Sequence, residues 1–150
     1  MITVEIIAVG KIKEDYYNKA VSEYIKRLSR YCNLKISEVS DFPDDKNSVQ
    51  KEEALILPRL RGVCVPLCVE GKQMSSEDLA GFISDCAVSG RGHITFVIGG
   101  SNGLGDRVKN AGELKLSFSK LTFPHRLMRV MLLEQIYRAF KIISGESYHK

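Results

Sequence analysis

Short β-branched apolar runs alternate with segments of helical period along the whole chain, and this alternation limits the possible folds more than any other feature. Residues 2–9, ITVEIIAV, read as a first strand that Gly10 ends. Residues 14–31 then place Tyr17, Ala20, Val21, Tyr24 and Leu28 at helical spacing. Residues 34–41 carry apolar side chains at every other position until FPDDKN breaks the run. A short helix is expected over 47–57, ended or kinked by Pro58. A third strand follows over 63–69, where Pro66 argues for an edge, a bulge or a strand end. Gly71 and Lys72 read as a turn. Ser75 and Asp78 stand in capping-box spacing at the head of a helix that closes at Gly90. HITFVI, 93–98, has the pattern of a fully buried strand. A short helix at 104–110, a last strand at 114–119 and the longest helix at 124–143 complete the order, with Pro124 suited to the first turn of that helix.

This order predicts an α/β fold with a mostly parallel sheet and helices on both faces. With 150 residues, no repeat and no linker, a single domain spanning 1–150 is expected. A net charge of +4 permits a nucleic-acid partner without requiring one. No run approaches the length of a membrane span. The first ten residues carry Glu5 and lack a basic leader and a cleavage site, so a cytoplasmic protein is expected. Of the four cysteines, Cys64 and Cys68 would share one face of a strand. No second pair or nearby His completes a tetrahedral site, so inert, reduced thiols in or near the core and no metal are expected.

The FVIGGSNGLGDRV stretch, 96–108, holds glycines at 99, 100, 103 and 105 directly after a strand. The dinucleotide fingerprint fails because Val108 stands where its third glycine belongs. The P-loop frame fails at Asp106, which occupies the lysine position and would repel a phosphate. A small oxidoreductase or kinase therefore lacks its motif. Gly99 and Gly100 at a strand's C-terminal end would let a ligand approach the backbone, and a neutral or zwitterionic nucleoside suits that loop better than a polyphosphate.

FVIGGSNGLG, then LSFSKLTFPHRLMRVMLLEQIYRAFKIISGESYHK, together with the opening AVGKIKEDYYNKAVSEYIKRL, resembles the RlmH family of SPOUT-class methyltransferases. The resemblance implies a homodimer whose long C-terminal helix lies in the interface, and a C-terminal trefoil knot that general fold rules would not suggest. It implies methylation of N3 of a pseudouridine in 23S rRNA on the assembled ribosome, with S-adenosylmethionine as cofactor. By position, the cofactor segments are Leu67, then Gly99, then Phe118, Ser119, Lys120, Leu121, Thr122 and Phe123. Cys68 replaces an expected acidic residue, and Glu70 is the candidate substitute. The stretch 42–58 looks shorter than is usual in that family and lies far in sequence from the cofactor loops, so a trimmed surface element with no lost activity is expected. A non-catalytic ribosome-binding or assembly factor with the same fold is the competing reading, distinguished by cofactor binding and transfer.

Methyl transfer from a sulfonium is an in-line displacement that needs alignment and no metal. Phe118, Leu121 and Phe123 can wall an adenine whose edge backbone amides read. The nucleophilic ring nitrogen must lose a proton. Tyr148 and His149, in the terminal SYHK, are the candidate proton-handling pair, on the expectation that the tail folds over the cofactor pocket. His125, at a helix start, is expected to be neutral and to position the 118–123 loop. Arg126, Arg129 and Arg138 are candidates for RNA phosphates, although Arg138 stands four residues from Glu134 and can pair with it. Lys11, Lys13, Lys26, Arg27 and Arg30 would extend the basic surface.

Overall fold

The computed structural model describes residues 1–149. Its strands are β1 (Thr3–Val9), β2 (Asn33–Val39), β3 (Val63–Gln73), β4 (His93–Ile98) and β5 (Leu116–Ser117). The helices are α1 (Asp15–Leu28), α2 (Ser48–Ile56), α3 (Ser76–Val88), α4 (Asp106–Asn110) and α5 (His125–Ile143). A single 3-10 turn, Leu57–Arg59, continues α2 and contains Pro58. All strand pairs are parallel, in the order β2-β1-β4-β3-β5.

The period-two alternation of β1 and β4 feeds two cores. Val4, Ile6 and Ala8, with Ile94, Phe96 and Ile98, face α1, α3 and α5, whose Leu28, Ile83, Leu132, Leu133 and Ile136 close the larger core. Ile7, Val9 and Val97 face the other way, against Ile56 of α2 and Leu104 and Val108 beside and within α4. Both faces are therefore covered, which is why these strands read as continuous apolar runs. Fully burying a side chain such as Phe96 or Ile6 contributes roughly 1.5–3 kcal/mol. The expected capping box forms at α3: the Asp78 amide donates to Ser75 Oγ at 3.0 Å, and the Ser75 amide donates to Asp78 Oδ2 at 3.3 Å.

Two local expectations are corrected. Gly71 and Lys72 are strand, not turn, because the far half of β3 finds a partner in β5, with Lys72 opposite Leu116. A Cβ on Gly71 would lie 2.7 Å from the Lys115 carbonyl oxygen, so the two backbones approach as only glycine allows. The near half of β3, through Pro66, pairs with β4 instead, so Pro66 sits where the strand changes partner. The second correction shortens the last strand to Leu116–Ser117. Ser117 Oγ lies 3.0 Å from the Val69 carbonyl and 3.1 Å from that of Ser119, while the Leu121 amide donates to Ser119 Oγ at 3.0 Å. These serine contacts bend the chain out of the sheet into a braced loop.

Candidate functional site

A cavity of about 670 Å³ opens at the C-terminal ends of β4 and β5, beside the middle of β3 where that strand changes partner; open α/β sheets place their ligands outside strand ends of this kind. Leu67, Cys68 and Glu70 supply one wall, Gly99 through Leu104 a second, and Phe118, Ser119, Leu121, Thr122 and Phe123 a third. The three segments singled out by position thus meet around one space, although they lie far apart in the chain. Lys120 is exposed and stands outside the wall. Pro124, His125 and Met128 carry the third wall into the start of α5.

The glycines of the second wall do not act as expected. A Cβ on Gly99 would lie 2.9 Å from the Leu104 amide nitrogen, and one on Gly100 would meet Val9 at 3.1 Å and Glu52 Oε1 at 3.4 Å. Their missing side chains make room for the protein itself, not for a ligand. The loop closes through a Gly100–Gly103 bridge, with the Gly103 amide donating to the Gly100 carbonyl at 3.0 Å and Gly103 at φ 76°. It is then held from behind. Ser101 Oγ donates to Asp44 at 2.7 Å, and Asn102 Nδ2 donates to Ser48 Oγ at 3.2 Å. The Arg107 and Val108 amides donate to Glu53 Oε2 at 2.9 and 3.2 Å. The 42–58 stretch, far off in sequence, is therefore more than a trimmed surface element: Asp44, Ser48 and Glu53 brace the loop. A signal for this exists in the sequence, since Ser48, Glu52 and Ile56 recur every four residues on one helix face.

Charge at the site is sparse and specific. Lys109 Nζ sits 2.5 Å from Glu70 Oε1 and holds that carboxyl below the ordinary range. Burial, reinforced by Glu70, pushes the Cys68 thiol up, so it is protonated at neutral pH. Burial, with Arg126 and Arg129 nearby, lowers His125, so the imidazole that lines the cavity is neutral. All four cysteines are free. No cluster of potential metal ligands occurs among the described residues.

Tyr148 and His149 lie elsewhere within their own chain, which corrects the expected fold of the tail. The Tyr148 ring packs edge-on against Tyr137 with centroids 5.0 Å apart, and its hydroxyl donates to Glu134 Oε1 at 3.1 Å. Burial and Glu134 raise the Tyr148 phenol, so it is a donor and not a base at neutral pH. Arg138 Nη1 donates to His149 Nδ1 at 3.2 Å, which leaves His149 Nε2 to donate to Glu77 Oε1 at 2.5 Å. Neither residue is in the walls of the large cavity. They sit on the α3–α5 side, near a second cavity of about 420 Å³ that shares Leu116 and Phe118 with the first.

The arginines divide. Arg126 donates from Nε to the Lys11 carbonyl at 3.0 Å, lies 3.8 Å from Glu14 Oε1 and keeps part of its surface open. Arg138 pairs with Glu134 at 2.9 Å. Arg129 is 4% exposed and donates to Glu38 Oε2 and to the Gly10 carbonyl, so it is withdrawn from any phosphate. Its place was readable, because position 129 continues the helical stripe of Leu133, Ile136 and Phe140.

Comparison with known proteins follows the same lines. The family model described as "Predicted SPOUT methyltransferase" matches residues 2–149. A protein of Clostridium novyi (strain NT), named ribosomal RNA large subunit methyltransferase H, is 49% identical over 98% of this chain and 99% of its own length. Its namesake in Clostridium botulinum (strain Langeland) is 48% identical over the same shares. Among solved structures, a "probable methylase family protein" of Haemophilus influenzae superposes with a TM-score of 0.58 at 12% identity, covering 98% of this chain and 70% of that one. A Legionella pneumophila protein solved with the cofactor SAM bound gives 0.53 at 10% identity, covering 92% and 66%. At such identities these two likenesses concern the fold.

Proposed function

The chain belongs to the SPOUT methyltransferase family, among the ribosomal RNA large subunit methyltransferases H, and from that premise we propose that it methylates N3 of a pseudouridine in 23S rRNA on the assembled ribosome, using S-adenosylmethionine. The observation that supports this reading best is the convergence of Leu67, Gly99 and the 118–123 run on one cavity at the sheet's C-terminal edge. The names of the close relatives supply the substrate class.

S-adenosylmethionine supplies an activated methyl group on a sulfonium, so the protein's part is binding, alignment and removal of a proton. Phe118, Leu121 and Phe123 form an apolar wall suited to an adenine, and Ser119 fixes the loop that carries them. Lys120 and Thr122 belong to the same cofactor segment. A neutral His125 avoids adding a cation beside a cationic cofactor. Glu70, kept ionised by Lys109, offers an acceptor where Cys68 offers none. Arg126, partly exposed, is the arginine of the three proposed to meet an RNA phosphate.

Tyr148 and His149 are the proposed proton-handling pair. Since they stand apart from the cavity of their own chain, they act on the cavity of a second protomer or after release of the tail. A homodimer built on α5 fits the first route. The reading carries with it the family's trefoil knot and a cytoplasmic ribosome as substrate; no helix among the described residues is long and apolar enough to cross a membrane.

The test is transfer of a labelled methyl group to ribosomes lacking the modification, with the label mapped in the RNA. Label at N3 of one 23S pseudouridine is expected. Cofactor binding without transfer would instead favour a non-catalytic ribosome-binding or assembly factor.

A further inference from the structure

The largest polar investment outside the cavity walls is a pair of adjacent carboxyl groups on α2. Glu52 and Glu53 are 6% and 5% exposed, on a nine-residue helix that contributes only Ile56 to the buried apolar core. Burying a carboxyl group without partners is costly, and these two spend their hydrogen-bonding capacity on backbone. Glu53 Oε2 accepts both the Arg107 and Val108 amides, 54 and 55 residues away in sequence. Its carboxyl lies directly against Gly105, where a Cβ would collide with it. Glu52 Oε2 accepts the Phe42 amide at 3.3 Å, which fixes the turn carrying Asp44. Asp44 in turn accepts from Ser101 at 2.7 Å and from Asn102 at 3.3 Å. The glycine loop therefore has its cavity side free and is tied to one short segment at Ser101 and Asn102 and, just past its end, at the first turn of α4.

We propose that Glu53, with Asp44 as its counterpart at the loop's other end, is a positioning residue that sets the conformation of the 99–105 loop and thereby the affinity for the cofactor. The proposal rests on the reading of the cavity as the S-adenosylmethionine site. The reason is one of order. A loop with four glycines has more backbone freedom to lose on ligand binding than a loop of the same length without them. Anchors that freeze it beforehand remove that cost from the binding step. Neither residue touches the cavity, so the effect falls on cofactor affinity and not on the alignment of bound reactants.

The experiment measures S-adenosylmethionine binding by calorimetry, steady-state methyl transfer to ribosomes, and amide exchange for the full-length protein and its Glu53→Ala, Glu53→Gln and Asp44→Ala variants. Glu53→Ala is expected to raise the cofactor Kd and KM about tenfold or more while kcat at saturating cofactor stays within about threefold. Glu53→Gln keeps an acceptor oxygen at the same reach and is expected to restore most of the affinity. Asp44→Ala is expected to give a smaller rise of the same kind. Ile83→Val, on the far side of the sheet, serves as a control that lowers stability without moving Kd. A cofactor Kd within twofold of wild type for folded Glu53→Ala would overturn the proposal, as would equal losses in Glu53→Gln and Glu53→Ala. If the wild-type protein binds no S-adenosylmethionine, the cavity reading fails. The anchor is then judged by exchange, where faster exchange across 99–108 in Glu53→Ala supports it and unchanged exchange overturns it.

Discussion

Arg129 of α5 donates from Nη1 to Glu38 Oε2 at 2.5 Å and from Nη2 to the Gly10 carbonyl at 3.0 Å. One guanidinium thus ties the longest helix to the ends of β1 and β2. Its Nε hydrogen has no partner, so the group is already under-satisfied and depends on the two contacts it makes. Removing it with Arg129→Ala leaves the Gly10 carbonyl unpaired and opens a gap under α5. A loss of about 2–4 kcal/mol is expected. For a chain of this length that lowers Tm by on the order of 10 °C. Chemical and thermal unfolding measure it directly. A change within 0.5 kcal/mol, roughly the surface-substitution range, would show that the contact is idle. The salt dependence of ribosome binding should not change for whatever fraction remains folded, because Arg129 faces no phosphate.

His125 gives the pH dependence. Its native value lies below the ordinary 6.5 because burial and then Arg126 and Arg129 disfavour the cation. The unfolded chain therefore binds a proton in a window where the native state does not, so this group makes stability fall as pH drops below about 6.5, with no contribution above it. Cofactor affinity should follow the same direction at lower pH, since a protonated imidazole lining the cavity opposes a sulfonium. Proton NMR of the His125 ring should place its midpoint below that of a free histidine, and His125→Gln should flatten the acid limb of S-adenosylmethionine binding. A midpoint at or above 6.5 would count against the assignment.

Gly71 is expected to matter more than a turn glycine would. With the Lys115 carbonyl oxygen 2.7 Å and the Lys115 carbonyl carbon 2.8 Å from where its Cβ would stand, Gly71→Ala must push β5 away from β3. The 118–123 loop follows β5, so the cavity's third wall moves with it. Overpacking against backbone costs about 1–3 kcal/mol. Cofactor affinity should fall as well. Gly81→Ala provides the contrast, since nothing lies within 4 Å of that added carbon and a helix interior favours alanine. It should be neutral or stabilising, and a Gly71→Ala protein that behaved like Gly81→Ala would refute the close approach.

The sequence disclosed those parts whose causes are local. The α/β order follows from short-range periodicity, the head of α3 from Ser75 and Asp78, and the start of α5 from Pro124. The three segments expected to hold the cofactor came by resemblance, and their convergence could only be seen in three dimensions. What stayed hidden depends on partners distant in the chain. Gly71 looked like a turn because its partner, Lys115, lies 44 residues on. Glu53 looked like surface because a carboxyl group reads as solvated until the amides of Arg107 and Val108 are beside it. Arg129 was misread by residue type, although its position on the helix pointed inward. In each case a polar or small residue satisfies a backbone need elsewhere, and apolar periodicity carries no record of that.

The tail supplies the last prediction. Tyr148 and His149 are bound to Glu134, Arg138 and Glu77 and are absent from the cavity walls of their own chain. If they handle the proton, Tyr148→Phe and His149→Ala should lower kcat by roughly 10²-fold, in the range typical of acid–base groups, while cofactor Kd stays within about threefold. A paired design separates the two routes by which the tail can reach a cavity. On the proposed homodimer, mixed dimers combine one protomer carrying His149→Ala with another carrying a cavity lesion such as Gly71→Ala, assayed at limiting cofactor, where each variant by itself is impaired. Action across the interface leaves one intact cavity facing one intact tail in each mixed dimer, so activity returns. Action within a released tail's own chain leaves every cavity paired with a defect, so the mixture stays as impaired as its parents. Full activity of both His149→Ala and Tyr148→Phe would remove the tail from the chemistry altogether.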